Sequence, residues 1–385
     1  MPEVIVAVLT GMPMIRDPKL ALEWLQSAAI RGAISLPLVM GVGPSLNTAR
    51  SLGEWFATSR INRKRFPRAL ANLREAFPDA SEDRLRELAI AAYSHLFQLG
   101  LEICYAPRLI TEEGWPRHLV IENVEHGITP MLSKEPCILI TGHCGNWELI
   151  GYAIAMLGFP MWAVYRPLDL RPLDAWLRQT RQRRGLTLVS KFGAMRTLPA
   201  ALERKVPIGL AADQSGGDRG LFAPFFGRLT STYKSIGLLA MQTRSRVVCG
   251  MARRLPVDVD SSAQGSDARL HGAARTIGPV SMRYRVDLGD VFGPEDWESQ
   301  PDPLFYITAR YRRAIEAMVR NAPEQYLWMH RIWRARPAHE RQNKPFPPAL
   351  KDKLLTLPWM TQADVDTVVE RSNRDARDLL AGKAP

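Results

Sequence analysis

The stretch Thr141-Gly-His143-Cys-Gly-Asn-Trp-Glu148 sets an imidazole and a carboxylate five positions apart, with Gly142 and Gly145 flanking the histidine side. A histidine bonded to a carboxylate has its tautomer and orientation fixed and its imidazolium form stabilised, which suits it to take a proton from a hydroxyl nucleophile. This is the first half of the serine-protease logic, with a substrate hydroxyl in place of the serine. Regular backbone would not deliver the pair. A five-residue step on a helix turns the side chains roughly 140° apart, and an odd step in a strand puts them on opposite faces. His143 and Glu148 meet if the histidine sits in a turn and the acid in the first turn of a helix, and the two glycines permit that backbone. An arbitrary His-x4-Glu pair is more often structural. The position after a buried strand and between glycines favours the functional reading.

The neighbouring pattern supplies such a corner. Cys137–Thr141, Met161–Tyr165, Leu186–Val189 and Val206–Ala212 are apolar runs of strand length buried on both faces. Helical stretches at 147–157, 170–183 and 194–204 lie between them, and the alternation predicts an α/β core with a mostly parallel central sheet flanked by helices. Chemistry is then expected at the carboxyl ends of the strands. Further strands are expected near 246–254 and 280–288, with an exposed Asp/Ser/Gly/Ala-rich loop from Val257 to Ala274 between them, and a helix at 302–321 closes the core. In front of the core the chain reads as helical: apolar helices over 17–58, a basic helix over 62–77, and a helix from Ser81 to about Cys104. Three regions follow: 1–110, helical and membrane-associating; 111–337, the α/β core; and 338–385, a Pro-rich linker with a charged helical tail that reads as an appendage.

The 385 residues, 46% hydrophobic, can bury a real core. Lys plus Arg number 51 against 39 Asp plus Glu, a formal charge of +12, which suits a partner rich in phosphate or carboxylate. The basic residues cluster at 60–65, 178–184, 244–254 and 331–336, and part of that charge reads as solvated helix face. Ala28–Gly43 is mostly apolar but contains Arg31 and Pro37 and is shorter than the roughly 20 residues a membrane span needs. A helix lying in or against an anionic membrane surface, with the basic run behind it at the headgroups, is the expected arrangement. The Met-Pro-Glu start carries no basic n-region or small-residue cleavage site, and a reducing cytosol is the default compartment.

Cys104, Cys137, Cys144 and Cys249 share no C-x-x-C spacing and predict neither a disulfide framework nor a zinc site. Cys144 beside His143 is a poor nucleophile pair, because adjacent side chains rarely converge. Ser190, Ser215 and Ser231 lack the Gly-x-Ser-x-Gly elbow of hydrolases. His330 reads as packed near the site and His95 as a helix residue, while His118, His126, His271 and His339 look exposed. No phosphate-cradling loop, dinucleotide fingerprint or His-Glu-x-x-His spacing is present, so no cofactor or metal is expected. No nucleic-acid motif accompanies the charge.

Gly-His-x-Gly-Asn-Trp-Glu at 142–148 resembles the His-x4-Asp/Glu motif of the late acyltransferases of lipid A biosynthesis, within the wider glycerophospholipid acyltransferase superfamily. Tyr165-Arg166-Pro167, Asp213-Gln214, Phe226-Gly227 with Thr230 and Thr232, Pro323-Glu-Gln-Tyr-Leu-Trp-Met-His-Arg331 and Arg336-Pro337 follow in that family's order, so the likeness spans roughly 17–337. The resemblance implies His143 as general base, Glu148 as its orienting acid, and Tyr165, Arg166, Asn146, Asp213 and Gln214 as substrate-binding residues. Arg166 would face a substrate phosphate or carrier group; an Arg166–Asp213 salt bridge that only shapes the cleft is the bland alternative. It further implies an acyl group moved from acyl carrier protein or acyl-CoA onto a hydroxyl of a lipid A precursor or similar glycolipid, without an acyl-enzyme, at the cytoplasmic face of a bacterial inner membrane.

For that chemistry, backbone N–H groups of the 142–146 turn are expected at the oxyanion, and the front helices with the core's apolar helix faces are expected to line an acyl groove. Within the enzyme class the rivals are a phosphatidylinositol mannoside or lysophospholipid as acceptor. From another class, the rival is a catalytically silent membrane-binding protein, against which His143 and Glu148 argue.

Overall fold

The structure is a computed structural model that describes residues 18–182, 185–256 and 282–382. The front third is helical: α1 (Pro18–Val39), α2 (Val42–Thr58), α3 (Phe66–Ala76) and α4 (Glu82–Leu109). Ser81 caps α4 by accepting from the Arg84 N–H at 3.3 Å, with Glu82 and Asp83 in the first turn where the helix dipole favours acids. The helix runs to Leu109, beyond the expected stop near Cys104, because Tyr105 and Ala106 continue its buried face. Among the described residues no helix is long and apolar enough to cross a membrane.

The core then alternates strand and helix: β1 (Leu119–Ile121), α5 (Glu125–Leu132), β2 (Cys137–Thr141), α6 (Trp147–Met156), β3 (Met161–Tyr165), α7 (Arg171–Arg181), β4 (Leu186–Ser190), α8 (Ala194–Glu203) and β5 (Ile208–Ala211). A hairpin follows, β6 (Leu221–Phe225) and β7 (Arg228–Thr232), then α9 (Lys234–Thr243), β8 (Arg246–Arg254), β9 (Tyr284–Phe292), α10 (Pro294–Trp297) and α11 (Pro303–Asn321). Seven strands form one sheet in the order β1-β9-β8-β2-β5-β3-β4. Five of its six neighbouring pairs are parallel and only β8–β9 is antiparallel. The expected α/β architecture with a mostly parallel sheet is therefore the observed one. The strand expected near 280–288 lies at 284–292, and the expected loop Val257–Ala274 falls outside the described residues.

The β6–β7 hairpin turns through Phe226 and Gly227, both at positive φ (53° and 66°), the two-residue turn whose twist matches antiparallel strands. Three C-terminal helices follow, α12 (Ala338–Arg341), α13 (Pro348–Leu355) and α14 (Gln362–Leu380), and α14 is bonded onto that hairpin. Arg228 and Arg336 both reach Asp375 at 2.6 Å, and Arg336 also pairs with Glu340 at 2.6 Å. His339, expected to be exposed, is buried within this cluster, 2.9 Å from the Ser372 hydroxyl. Packing of α14 was not visible in its charge pattern, because the charges that look solvent-facing are the ones that pair.

Candidate functional site

Strands β2 and β5 are parallel neighbours in a register that pairs Thr141 with Ala211. Two residues beyond each of these partners come His143 and Asp213, and the Ala212 N–H still donates to the Thr141 carbonyl at 2.8 Å. The sheet itself therefore sets the two side chains abreast at its carboxyl edge, where open α/β sheets gather their ligands. His143 Nδ1 lies 2.7 Å from Asp213 Oδ1. A carboxylate only accepts, so Nδ1 carries the hydrogen and Nε2 keeps a lone pair. The His143 side chain is 17% exposed, Asp213 2%.

Burial would lower the pKa of His143, but the charge of Asp213, its hydrogen bond and then the charge of Glu148 carry it above the ordinary value. Burial would raise Asp213; the charge and hydrogen bonds of His143, with the charge of Arg312, hold it well below the usual carboxylate range. The buried guanidinium of Arg312, from α11, donates to the Asp213 carbonyl at 2.9 Å. The site thus has a fixed tautomer, an ionised carboxylate on Nδ1, and an Nε2 that the Gln214 side-chain amide approaches at 3.5 Å.

The turn between β2 and α6 is held from its other side. Gly145 adopts φ +58°, and a Cβ there would collide with the Ala252 carbonyl oxygen, so glycine is required on two counts. The Gly145 N–H donates to the Gln325 carbonyl at 2.9 Å and the Asn146 N–H to Ala252 at 2.7 Å. These two amides, expected at the oxyanion, are already used to staple the turn. Asn146 caps α6 by accepting from the Leu149 N–H at 2.9 Å, and its Nδ2 donates to Glu102 at 3.1 Å. It is 1% exposed, so the side chain expected to touch substrate is instead committed to shaping the turn.

Glu148 stands in the first turn of α6, as the motif implied, but its carboxylate pairs with Arg181 of α7 at 2.8 Å. The acid hydrogen-bonded to His143 is Asp213, and Glu148 reaches the imidazole only through its charge. No Arg166–Asp213 salt bridge occurs among the described residues, because the register turns Asp213 to His143 while Arg166, just past β3, is exposed. The Tyr165 hydroxyl lies 3.3 Å from Asp174 of α7. Gln214 does join the site, its Nε2 lying 3.5 Å from His143 Nε2. Burial pushes the Cys144 thiol up to about 12, which removes it as a thiolate nucleophile.

Between one face of the sheet and α5, α6 and α7 lies an apolar cavity of about 1040 Å³, open solvent at its mouth included. Its predominantly apolar lining with a few polar groups has the character of a small-molecule pocket. Its walls are residues such as Ile128, Met131, Ile154, Leu186 and Leu288, and its polar lining is Thr141, Glu148, Tyr165 and Arg181. None of its lining comes from residues 18–109, contrary to the expectation that the front helices would supply it. They pack instead on one another, on α7 and on the 323–330 segment. Trp147 forms part of the wall and stands edge-on to His143 with ring centroids 4.9 Å apart, so cavity and imidazole share one boundary. His330 is the third ring there, 5.3 Å from His143. The signal that could have found Asp213 as the partner was available: it stands two residues past a buried strand, as His143 does.

The model of the bacterial lipid A biosynthesis acyltransferase family matches residues 11–259. A lipid A biosynthesis palmitoleoyltransferase of Escherichia coli K12 is 25% identical over 284 residues, 71% of this chain and 79% of the relative. A lipid A biosynthesis acyltransferase of Shigella flexneri matches with the same identity and coverage. A lipid A biosynthesis lauroyltransferase of E. coli K12 is 22% identical over 341 residues, 86% of this chain and 98% of the relative.

Proposed function

The chain belongs to the bacterial lipid A biosynthesis acyltransferase family and is an acyltransferase, and from that premise we propose that it transfers a fatty acyl chain from a carrier thioester to a hydroxyl of a lipid A precursor. His143 is the general base: Nε2 takes the proton of the acceptor hydroxyl, whose oxygen attacks the thioester carbonyl. Asp213 holds the ring by Nδ1 and stabilises the imidazolium that forms. The proton then passes to the leaving thiolate, and no acyl-enzyme is formed. The observation that supports the reading is an imidazole with one nitrogen on a carboxylate and the other met at 3.5 Å by the Gln214 amide, which an acceptor hydroxyl can displace, against the wall of an apolar cavity that suits an acyl tail.

Glu148 raises the basicity of His143 by its charge and, with Arg181, marks the polar end of the cavity, where the thioester is oriented. Gln214 is placed to touch the acceptor hydroxyl. Arg166, exposed beside the same strand ends, suits a phosphate of the carrier or acceptor. The donor is acyl carrier protein or acyl-CoA.

Leu20, Leu22, Leu25 and Leu36 of α1 and Trp55 of α2 are exposed apolar side chains, with the basic run from Arg60 to Arg65 directly behind them. That pairing supports interfacial binding at the cytoplasmic face of the inner membrane, apolar face in the lipid and cations at the headgroups. Binding to anionic vesicles should weaken as salt rises.

The test is transfer of a radiolabelled acyl chain from carrier protein or CoA to a lipid A precursor by the full chain, with His143→Ala alongside. Transfer by the wild type and none by the variant is expected. Undiminished transfer by His143→Ala, or a deletion strain whose lipid A loses no acyl chain, would end this assignment.

A further inference from the structure

His330 is held in place by its backbone while its ring is left open. The 325–327 segment is bound to the catalytic turn by the bridge between Cys144 and Tyr326 and by the Leu327 N–H, which donates to the His143 carbonyl at 3.1 Å. From the other side Asn72 Nδ2 donates to the carbonyls of Trp328 and His330, each at 2.7 Å, and Arg68 reaches Met329. The ring stands 5.3 Å from that of His143 at an interplanar angle of 52°. Its nitrogens have no hydrogen-bond partner among the described residues, whereas both nitrogens of His143 and both of His95 have one. A half-buried imidazole beside a general base, fixed in position and without a protein partner, is available to substrate.

Burial, then the charge of His143, lower the His330 pKa to about 4 against the opposing charge of Asp213, with Arg68 lowering it further. At neutral pH the ring therefore carries one N–H and one lone pair and does not compete with His143 for the proton. Two adjacent titratable groups whose environments push their pKa values apart are suited to different roles in one reaction. The role left open is that of an oxyanion donor, because the Gly145 and Asn146 amides of the turn are bonded elsewhere.

We propose that His330 is a second catalytic imidazole, whose N–H donates to the thioester carbonyl oxygen while that oxygen carries negative charge; the proposal rests on the acyl-transfer reading above. The acceptor O–H proton goes to His143 Nε2 as the new C–O bond forms, and the carbonyl electron pair moves onto the oxygen held by His330. When that pair returns, the C–S bond breaks and the departing thiolate takes the proton from His143. His330 keeps its own proton throughout, so the step balances without a further reactant.

The test compares His330→Phe, which keeps the ring and removes the donor, with His330→Gln, which offers an N–H at similar reach. Both are assayed as full chains after thermal melts show them folded; if the Phe variant does not fold, His330→Leu takes its place. Loss of one oxyanion donor predicts a fall in kcat of about 10²- to 10³-fold for His330→Phe with little change in either KM, and recovery of about tenfold or more by His330→Gln. Wild-type kcat in His330→Phe, a loss confined to KM, or a Gln variant as slow as the Phe variant would overturn it. His143→Ala, run alongside, separates the failures. If it keeps activity, the acyl-transfer reading itself falls; if it is inactive while His330→Phe is unimpaired, only the second imidazole does.

Discussion

Two histidines meet at the turn at 142–146, His143 within it and His95 bonded to it, and their surroundings give them opposite charge preferences. His143 has a carboxylate on Nδ1, the Gln214 amide 3.5 Å from Nε2 and 17% of its side chain exposed. His95, from α4, has Nε2 donating to the Gly145 carbonyl at 3.0 Å and Nδ1 facing the Arg254 Nε at 3.4 Å. Burial and then the charge of Arg254 lower the His95 pKa to about 3, against the small opposing effect of the Gly145 bond, so it stays neutral. Burial alone does not make a base. The sign of the neighbouring charge separates the two rings, and His95 serves by holding the backbone of the turn that carries His143.

The largest effect that tests this contrast comes from taking the charge away from His143. Asp213→Asn should lower kcat/KM by about 10⁴-fold, the scale on which loss of the orienting aspartate disables a serine-protease triad, with the fold intact by thermal melt. The wild-type acid limb also follows in sign. A general base must be neutral to act, and the His143 pKa is raised above the ordinary histidine value, so under the proposed mechanism activity is lost as pH falls through that raised value. In Asp213→Asn that support is gone, and the limb of the residual activity should move to lower pH. A variant with wild-type rates, or a limb moving upward, would place the base elsewhere.

The matching test on the inert side concerns stability. Glu102 is fully buried and accepts from Arg254, Tyr284 and Asn146, with Arg254 Nη2 at 2.9 Å. Removing one member of a buried pair leaves the other charge uncompensated, so Arg254→Met should cost about 3–5 kcal/mol in denaturant unfolding. A cost below about 1 kcal/mol, the surface-pair range, would show that this cluster does not secure the turn.

The two sides were not equally legible in the sequence. His143 stood out because glycines, a buried strand and a helix start converge on it within eight residues. The motif points to Glu148 as its partner because a short motif displays near neighbours in sequence, whereas the observed pairing with Asp213 depends on which strand lies beside β2. That strand is β5, and β3 lies beyond it. A βαβ reading alone leaves this order open. Asn146 reads as a substrate residue in the sequence since caps and ligands draw on the same amide chemistry; in the fold it caps α6. The Glu102–Arg254–Tyr284 cluster was invisible, its members being scattered over α4, β8 and β9.

A smaller effect separates the two carboxylates that influence His143. Glu148 and Arg181 pair at 2.8 Å with side chains 17% and 16% exposed, so each should depend on the other. A double-mutant cycle with Glu148→Ala and Arg181→Ala, read in kcat/KM, should give a coupling energy of about 0.5–3 kcal/mol. Additive losses would mean that Glu148 acts on its own, and the orienting role would then have to be reconsidered in its favour.

The smallest effect is expected in the turn itself, at the residue that follows His143. Cys144 is buried with its thiol pushed up to about 12, so at neutral pH it is a protonated packing group rather than a nucleophile. Cys144→Ala should therefore leave the transfer rate close to wild type and cost about 1 kcal/mol of stability for the lost volume. Mass spectrometry of the enzyme stopped during turnover should find no acyl adduct on any of the four thiols. A Cys144→Ala variant that loses transfer while still folding, or an acyl group found on that sulfur, would replace direct attack by a two-step transfer and recast His143 as the activator of its own neighbour.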